Sequence, residues 1–352
     1  PCGTLFPYTT LFRSGTGGGG LNLMDRKTGK FKRYSFRPAG EDPSEDLWDQ
    51  LTAMTISRDG NIWLGSYGKG AVYFNPDTKE IKRYIDDFFE GAKWKDHYIY
   101  DVIEDENGVI WIATNGFGLI RFDKDNMDFS RFTGVPEYPG CLSSNGILSL
   151  YQDRSGIIWI GTNGGGINML YPSAMNFRLY THQPDNPNSI GVRSVRAMLV
   201  DSENNLWVGG YCGLDKIDRT TGKITRYIEF DDPFYSELHY SVNINPHIYS
   251  LVEDPRYPDS LLWMGTEGGG LYQFDRKNIR FRHFPEGPAD KKGLLGHSVL
   301  EIISEGEDYL WIGTELGLNR FDLATEEIRH FNCEEITGIN VGSIIALHLD
   351  KE

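Results

Sequence analysis

Trp recurs along this chain at Trp63, Trp111, Trp159, Trp207, Trp263 and Trp311, with successive intervals of 48, 48, 48, 56 and 48 residues. A period of this length identifies a repeat array, and that decides how every shorter segment is interpreted. The clearest copy is Ile158-Trp159-Ile160-Gly161-Thr162-Asn163-Gly164-Gly165-Gly166. Around it, residues 147–182 read as four short strands: ILSLYQD, then the turn DRSG, IIWIGT with a period of two, the glycine turn NGGG, INMLYP, and FRLYTH. A sheet this small cannot bury both faces alone, so its neighbours must stack on it, and radial stacking of four-stranded sheets makes a β-propeller. Gly-Thr-type turns open at Gly15, Gly65, Ala113, Gly161, Gly209, Gly265 and Gly313. Seven turns predict an all-β, seven-bladed propeller of four-stranded antiparallel blades over residues 15–352. The last segment, SIIALHLDKE, reads as one more first strand able to complete blade one.

Residues 1–14, PCGTLFPYTTLFRS, break the repeat: a Trp is expected near position 13, where Arg13 stands. They are expected to be a non-native leader, with the look of translated adaptor sequence, ahead of a propeller that is a fragment of a longer chain. The ladder Trp residues are expected to pack between blades. Trp48 and Trp94 fall outside the ladder, in connections, and are the more informative pair.

Composition narrows the partners. Thirty-five Lys and Arg against 50 Asp and Glu leave a formal charge of -15, which repels phosphate backbones and argues against nucleic acid. No apolar run reaches the length of about 18 residues that a membrane helix needs. The four Cys, at 2, 141, 212 and 333, lack metal-ligand spacing. GTGGGG at 15–20 satisfies the GxGxxG spacing, but it joins strand to strand, where a dinucleotide site joins strand to helix. Asp105, Asp153 and Asp201 open turns where carboxylates accept backbone N–H groups, with calcium as the competing reading. His97, His247 and His297 are too dispersed in sequence for spacing to indicate a metal. No cofactor and no catalytic residue is assigned, and no nucleophile elbow or phosphate loop is present.

The two faces of the array differ. Turns between strands one and two, and three and four, are mostly short. The blade-to-blade connections, which share a face with the strand-two-to-three turns, are long: 37–50, 86–97, 133–146, 183–194, 230–247, 285–298 and 332–343. Long loops on a rigid scaffold are where binding resides. They carry Trp48, Phe88, Phe89, Trp94, Tyr138, Phe234, Tyr235, His239 and Tyr240, flat rings suited to sugar faces, although loops also collapse on their own aromatics. A second ring of candidates stands at the start of each first strand: Asp49, His97, Asn145, Arg193, His247 beside Pro246, His297 and Gly342. A third follows the Gly-Thr turns: Tyr67, Asn115, Asn163, Tyr211, Glu267 and Glu315. One asymmetric ligand would require such variation among equivalent positions, and surface drift produces it too.

GIIWIGTNGGGINML followed by FRLYTHQPDNPNSIGVRSVRAMLVD closely resembles the two-component regulator propeller repeat. The resemblance implies the extracytoplasmic, periplasmic sensor region of a membrane-anchored hybrid two-component system of Bacteroidetes type, in which propellers sense oligosaccharides. It implies further modules beyond this fragment: a second propeller, an immunoglobulin-like domain, a membrane helix, and a histidine kinase with response regulator or a diguanylate cyclase. A homodimer is the implied assembly. The fragment itself is expected not to be an enzyme. A propeller lyase or hydrolase acting on a glycan or cyclic peptide, and a protein-binding scaffold, are the alternatives.

Overall fold

The structure, a computed structural model, describes residues 11–25, 30–40, 47–84, 98–134, 141–172, 175–183, 186–211, 213–229, 247–285, 287, 293–332 and 343–349. Its strands run β1 (Leu11–Thr16), β2 (Gly20–Asp25) and β3 (Lys30–Tyr34), then β4 (Leu51–Ile56), β5 (Ile62–Ser66), β6 (Ala71–Phe74) and β7 (Ile81–Tyr84). Next come β8 (Ile99–Glu104), β9 (Ile110–Thr114), β10 (Gly118–Asp123) and β11 (Asp128–Phe132), and β12 (Ile147–Gln152), β13 (Ile158–Thr162), β14 (Ile167–Tyr171) and β15 (Asn176–Tyr180). The last groups are β16 (Ser194–Val200), β17 (Asn205–Tyr211), β18 (Gly213–Asp218) and β19 (Ile224–Glu229); β20 (Ile248–Glu253), β21 (Leu261–Thr266), β22 (Gly270–Asp275) and β23 (Arg280–Phe284); β24 (Val299–Glu305), β25 (Tyr309–Thr314), β26 (Gly317–Asp322) and β27 (Ile328–Asn332); and β28 (Ile344–Leu349).

They form seven four-stranded antiparallel sheets, and blade one has the order β28-β1-β2-β3. SIIALHLDKE therefore supplies the missing first strand: β28 pairs with β1 from Phe12↔Leu349 to Thr16↔Ile344. Each first strand packs on the next, β4 on β8, β8 on β12, and so through β16, β20, β24 and β28 back to β4. The ring is closed, as the sequence predicts. Leu11–Ser14, the part of the expected leader that the structure describes, forms the first four residues of β1.

Blades adhere through the Trp ladder. Trp63, Trp111, Trp159, Trp207, Trp263 and Trp311 are all at most 2% exposed. Each ring packs into the following blade: Trp111 against Ile158 and Leu170, Trp207 against Leu262 and Phe274, Trp311 against Phe12 and Met24. Losing such a ring to Ala costs roughly 3–5 kcal/mol. A buried indole N–H needs an acceptor, and the turn carboxylate supplies it. Trp111 Nε1 donates to Asp105 at 2.8 Å, Trp159 to Asp153 at 2.8 Å, Trp207 to Asp201 at 2.7 Å, Trp263 to Asp254 at 3.0 Å and Trp311 to Glu305 at 2.6 Å. Arg219 adds an ion pair to Asp153 at 2.7 Å and Arg276 one to Asp201 at 2.6 Å. The turn aspartates thus latch blades together, besides accepting backbone N–H bonds as expected.

The Gly-Thr signature has two separate causes. The hydroxyls of Thr16, Ser66, Thr114, Thr162, Thr266 and Thr314 donate across the turn to the carbonyls of Gly20, Gly70, Gly118, Gly166, Gly270 and Gly317, at 2.7–3.0 Å. The preceding glycine makes room for the next blade: a Cβ on Gly265 would stand 2.5 Å from Val299 Cγ1. Gly15–Gly20 accordingly lies in a hairpin between β1 and β2, and the GxGxxG spacing there has no helix to serve.

Candidate functional site

All seven first strands carry the same irregularity. Pairing with the second strand skips one residue, between Leu51 and Ala53, Ile99 and Asp101, Ile147 and Ser149, Val195 and Ala197, Ile248 and Ser250, Val299 and Glu301, and Ile344 and Ala346. A β-bulge re-aims the extra side chain. The seven bulged residues are Thr52, Tyr100, Leu148, Arg196, Tyr249, Leu300 and Ile345, and every one of them lines an axial cavity of about 600 Å3. Neighbouring inner strands belong to separate sheets and form no backbone ladder among the described residues, so the bulge leaves a backbone amide needing an acceptor. The residue after the bulge provides it across the blade boundary: Asp101 accepts from Leu150 N at 2.7 Å, Ser250 from Ile302 N at 3.0 Å, and Glu301 from Leu347 N.

One side of the cavity concentrates polar chemistry. The Arg196 guanidinium stacks over the rings of Tyr249 at 4.7 Å, Tyr100 at 4.9 Å and Tyr211 at 5.8 Å. Arg196 Nη2 donates to the Tyr211 hydroxyl at 3.4 Å, and that hydroxyl lies 3.3 Å from Tyr249 Oη. Burial, together with its bonds to Tyr211 and Glu267, pushes the Tyr249 hydroxyl up from its ordinary value, so it stays neutral. Deeper in the wall, burial pushes Asp101 up to about 6 and Glu301 up to about 8, the Asp101 charge adding to the second shift. Both residues keep some accessible surface because they face the cavity.

The sequence-derived candidates divide into three groups. Tyr67, Tyr211, His247 and Glu267 are brought to the cavity or its mouth. Tyr67 lines the cavity and stacks on Tyr98 with ring centroids 3.7 Å apart. Tyr211 meets the His247 ring edge-on at 4.9 Å, and His247 Nδ1 lies 3.3 Å from Glu267 Oε2. A second His–Glu pair forms between His297 Nδ1 and Glu315 at 2.7 Å, where the carboxylate also accepts the His297 and Ser298 amides. Asn115, Asn163 and Arg193 stand on the same rim: Asn115 N donates to Tyr98 O, Asn163 Oδ1 accepts from Ser194 Oγ at 3.1 Å, and Arg193 is exposed.

Two candidates are structural, which corrects the sequence reading, and a third has a bracing bond. Trp48 is 1% exposed and packs with Leu51, Ile62 and Leu64 at the boundary of blades one and two, so its ring offers no face to a ligand. Asp49 is fully buried; its carboxylate accepts Phe36 N at 2.7 Å and pairs with Arg33 at 3.1 Å, strapping down the connection from blade one. Asn145 Oδ1 does the same for Gly134 N at 2.7 Å. This strand-opening position has a main-chain duty as well, since the carbonyls of Asp49, Asn145, Arg193 and His297 accept amides of the preceding glycine turn, at 2.7–3.0 Å. Trp94, His97, Phe88, Phe89, Tyr138, Phe234, Tyr235, His239 and Tyr240 lie outside the described residues.

Tyr100, Arg196 and Tyr249 are the residues that sequence reasoning missed. They stand three places after His97, Arg193 and Pro246, so the internal alignment already held them in one column. That column, Thr, Tyr, Leu, Arg, Tyr, Leu, Ile, varies among the seven first strands. Alternation with a period of two does not reveal it, because the bulge breaks the period.

Fold and cavity together define a closed propeller with an asymmetric axial site. Three of its repeats match the family described as "Two component regulator propeller", over residues 93–116, 141–164 and 189–212. No curated protein matches the sequence. Among solved structures, it is similar to PorZ of the type-IX secretion system of Porphyromonas gingivalis, with 16% identity, a TM-score of 0.60, and coverage of 95% of this chain and 46% of that one. It is also similar to virginiamycin B lyase of Staphylococcus aureus, with 18% identity, a TM-score of 0.54, and coverage of 80% and 84%. A protein described as the extracellular domain of a hybrid two-component system of B. thetaiotaomicron matches at 17% identity and a TM-score of 0.41, over 93% of this chain and 51% of that one. The chain thus spans about half the length of the first and of the last of these three. No helix among the described residues is long and apolar enough to cross a membrane.

Proposed function

We propose that this propeller is the ligand-sensing part of a membrane-anchored, extracytoplasmic two-component sensor, and that it binds an oligosaccharide at the mouth of the axial cavity. The observation that supports this is the bulge column: one scaffold position, repeated seven times, holds tyrosines in blades three and six and a guanidinium in blade five, with aliphatic or Thr side chains elsewhere. Tyrosine faces suit the apolar face of a pyranose, and the hydroxyls, Glu267 and His247 suit its ring hydroxyls. Occupancy would act on a kinase through a shift between two arrangements of neighbouring modules or of a dimer, in proportion to its differential affinity for them. The test is calorimetric titration with a panel of neutral and acidic oligosaccharides. Binding by the wild type, weakened by roughly tenfold or more in Tyr249→Ala with thermal unfolding unchanged, is the expected result. Absence of binding across the panel, or affinity indifferent to Tyr249, refutes the proposal.

The two His–Glu pairs favour a second reading, lyase or hydrolase chemistry on a glycan or cyclic peptide, since an imidazole held by a carboxylate can move a proton. Turnover by the wild type that is lost in His247→Ala or His297→Ala would establish it.

A further inference from the structure

Arg196 holds a charge that meets no counter-charge among the described residues. Among the described residues no carboxylate lies within ion-pair distance of its guanidinium, and its buried Nε has no hydrogen-bond partner. Its other neighbours are the faces of Tyr100, Tyr211 and Tyr249, which attract a cation but do not neutralise it. Arginines elsewhere in the fold behave differently: Arg33, Arg219, Arg256 and Arg276 each meet a carboxylate within 3.1 Å. A partly buried guanidinium is costly unless paired, and these four are paired.

From this exception we infer that the oligosaccharide is acidic, and that Arg196 receives the carboxylate of a uronic acid unit. The inference rests on the sensing function proposed above. The guanidinium presents a planar fork that matches a carboxylate in two parallel hydrogen bonds. Its long 3.4 Å contact with the Tyr211 hydroxyl is a bond a carboxylate would readily displace. The tyrosine rings around it would lie against the sugar ring that carries the carboxylate. Among the described residues, Arg196 is the one Lys, Arg or His in the cavity wall. Glu301 does not oppose an anion near neutral pH, and the charge of Asp101 is partly offset by the bonds it accepts. Both Asp101 oxygens are occupied by backbone amides, of Val102 and Leu150, and burial keeps Glu301 protonated near neutral pH.

The experiment titrates the wild type, Arg196→Gln and Arg196→Lys with oligogalacturonate, unsulfated chondroitin oligosaccharides and oligomannuronate, each beside its carboxyl-reduced counterpart, and with neutral galactan, arabinan and mannan oligosaccharides. The wild type is expected to bind at least one acidic member about ten- to hundredfold more tightly than its reduced form, the range a charge-assisted hydrogen bond supplies. Arg196→Gln is expected to erase that difference, and Arg196→Lys, with its charge but no fork, to restore part of it. Circular dichroism and thermal unfolding establish that both variants are folded. Reduced forms binding as well as acidic ones, preference for the acid persisting in Arg196→Gln, or binding of neutral members alone overturns the inference while oligosaccharide sensing stands. Failure of every member to bind overturns both.

Discussion

Glu301→Gln tests whether the inner ring stores an unfavourable ionisation. In the folded protein, burial and the Asp101 charge hold the Glu301 carboxyl up at about 8, against an ordinary value of 4.5. A raised folded-state value means that the folded protein keeps a proton the unfolded chain has released. The associated stability is therefore intact below pH 4.5 and is lost progressively as pH rises through about 8. Between pH 6 and pH 8 linkage gives a loss of about 2 kcal/mol from Glu301, an upper figure because water in the cavity screens the charge. Asp101, held at about 6, has finished most of its titration by then and adds about 0.4 kcal/mol over the same interval. Gln has the same shape, still offers an oxygen to Leu347 N, and cannot ionise. Guanidinium unfolding followed by Trp fluorescence at pH 6, 7 and 8 should show the stability gap between variant and wild type widening by about 1–2 kcal/mol toward pH 8. Parallel curves for the two proteins would refute the buried, protonated state of Glu301.

Three further substitutions probe the scaffold. Blade two lacks the latch, for Ser57 stands where blades three to five have Asp, and neither Ser57 Oγ nor Trp63 Nε1 has a hydrogen-bond partner among the described residues; Ser57→Asp should stabilise the protein by about 1 kcal/mol, and an unchanged unfolding midpoint would count against the latch. Gly265→Ala drives a methyl group against Val299 and should cost about 1–3 kcal/mol in denaturant unfolding, with a cost near zero showing that blades six and seven can separate freely. Arg13→Trp places an indole in the one ladder position without it, 8% exposed in β1, and should raise stability by about 1 kcal/mol; a loss would contradict the proposal that residues 1–14 replace a Trp-bearing native strand.

The fold was legible in the sequence because its determinants repeat. Trp, Gly-Thr and turn Asp recur since each blade solves one packing problem in one way, and seven copies average out local noise. The site was less legible for the converse reason, that function sits where copies differ. Asp49 and Asn145 vary among equivalents as a ligand contact would, yet their variation reflects how each connection is tied down, by Phe36 N in one case and Gly134 N in the other. Trp48 looked like a binding ring because it lies outside the ladder, and burial against Leu51 and Ile62 is a tertiary fact that no spacing encodes. Arg196 and Tyr249 were hidden by the bulge, which turns toward the axis residues that alternation would assign to a blade face.

The bulge also separates what the blade must conserve from what a ligand can select. In the first strand, the strand-opening carbonyl holds the preceding glycine turn, as Asp49, Asn145, Arg193 and His297 do, and the residue after the bulge can cap the neighbouring strand, as Asp101, Ser250 and Glu301 do. Both duties fall on positions flanking the bulged residue, which pairs with nothing in its own sheet. Its side chain can therefore change from Thr52, whose hydroxyl donates to Ile99 O of the next blade, to Tyr100 to Arg196 without disturbing a ladder hydrogen bond. Seven such positions converge on one axis, so recognition can be rewritten there while the stability of the ring, carried by the Trp latches farther out, is left alone. Substitutions in this column should accordingly alter ligand choice with small effects on unfolding, and substitutions of the latch residues should do the reverse.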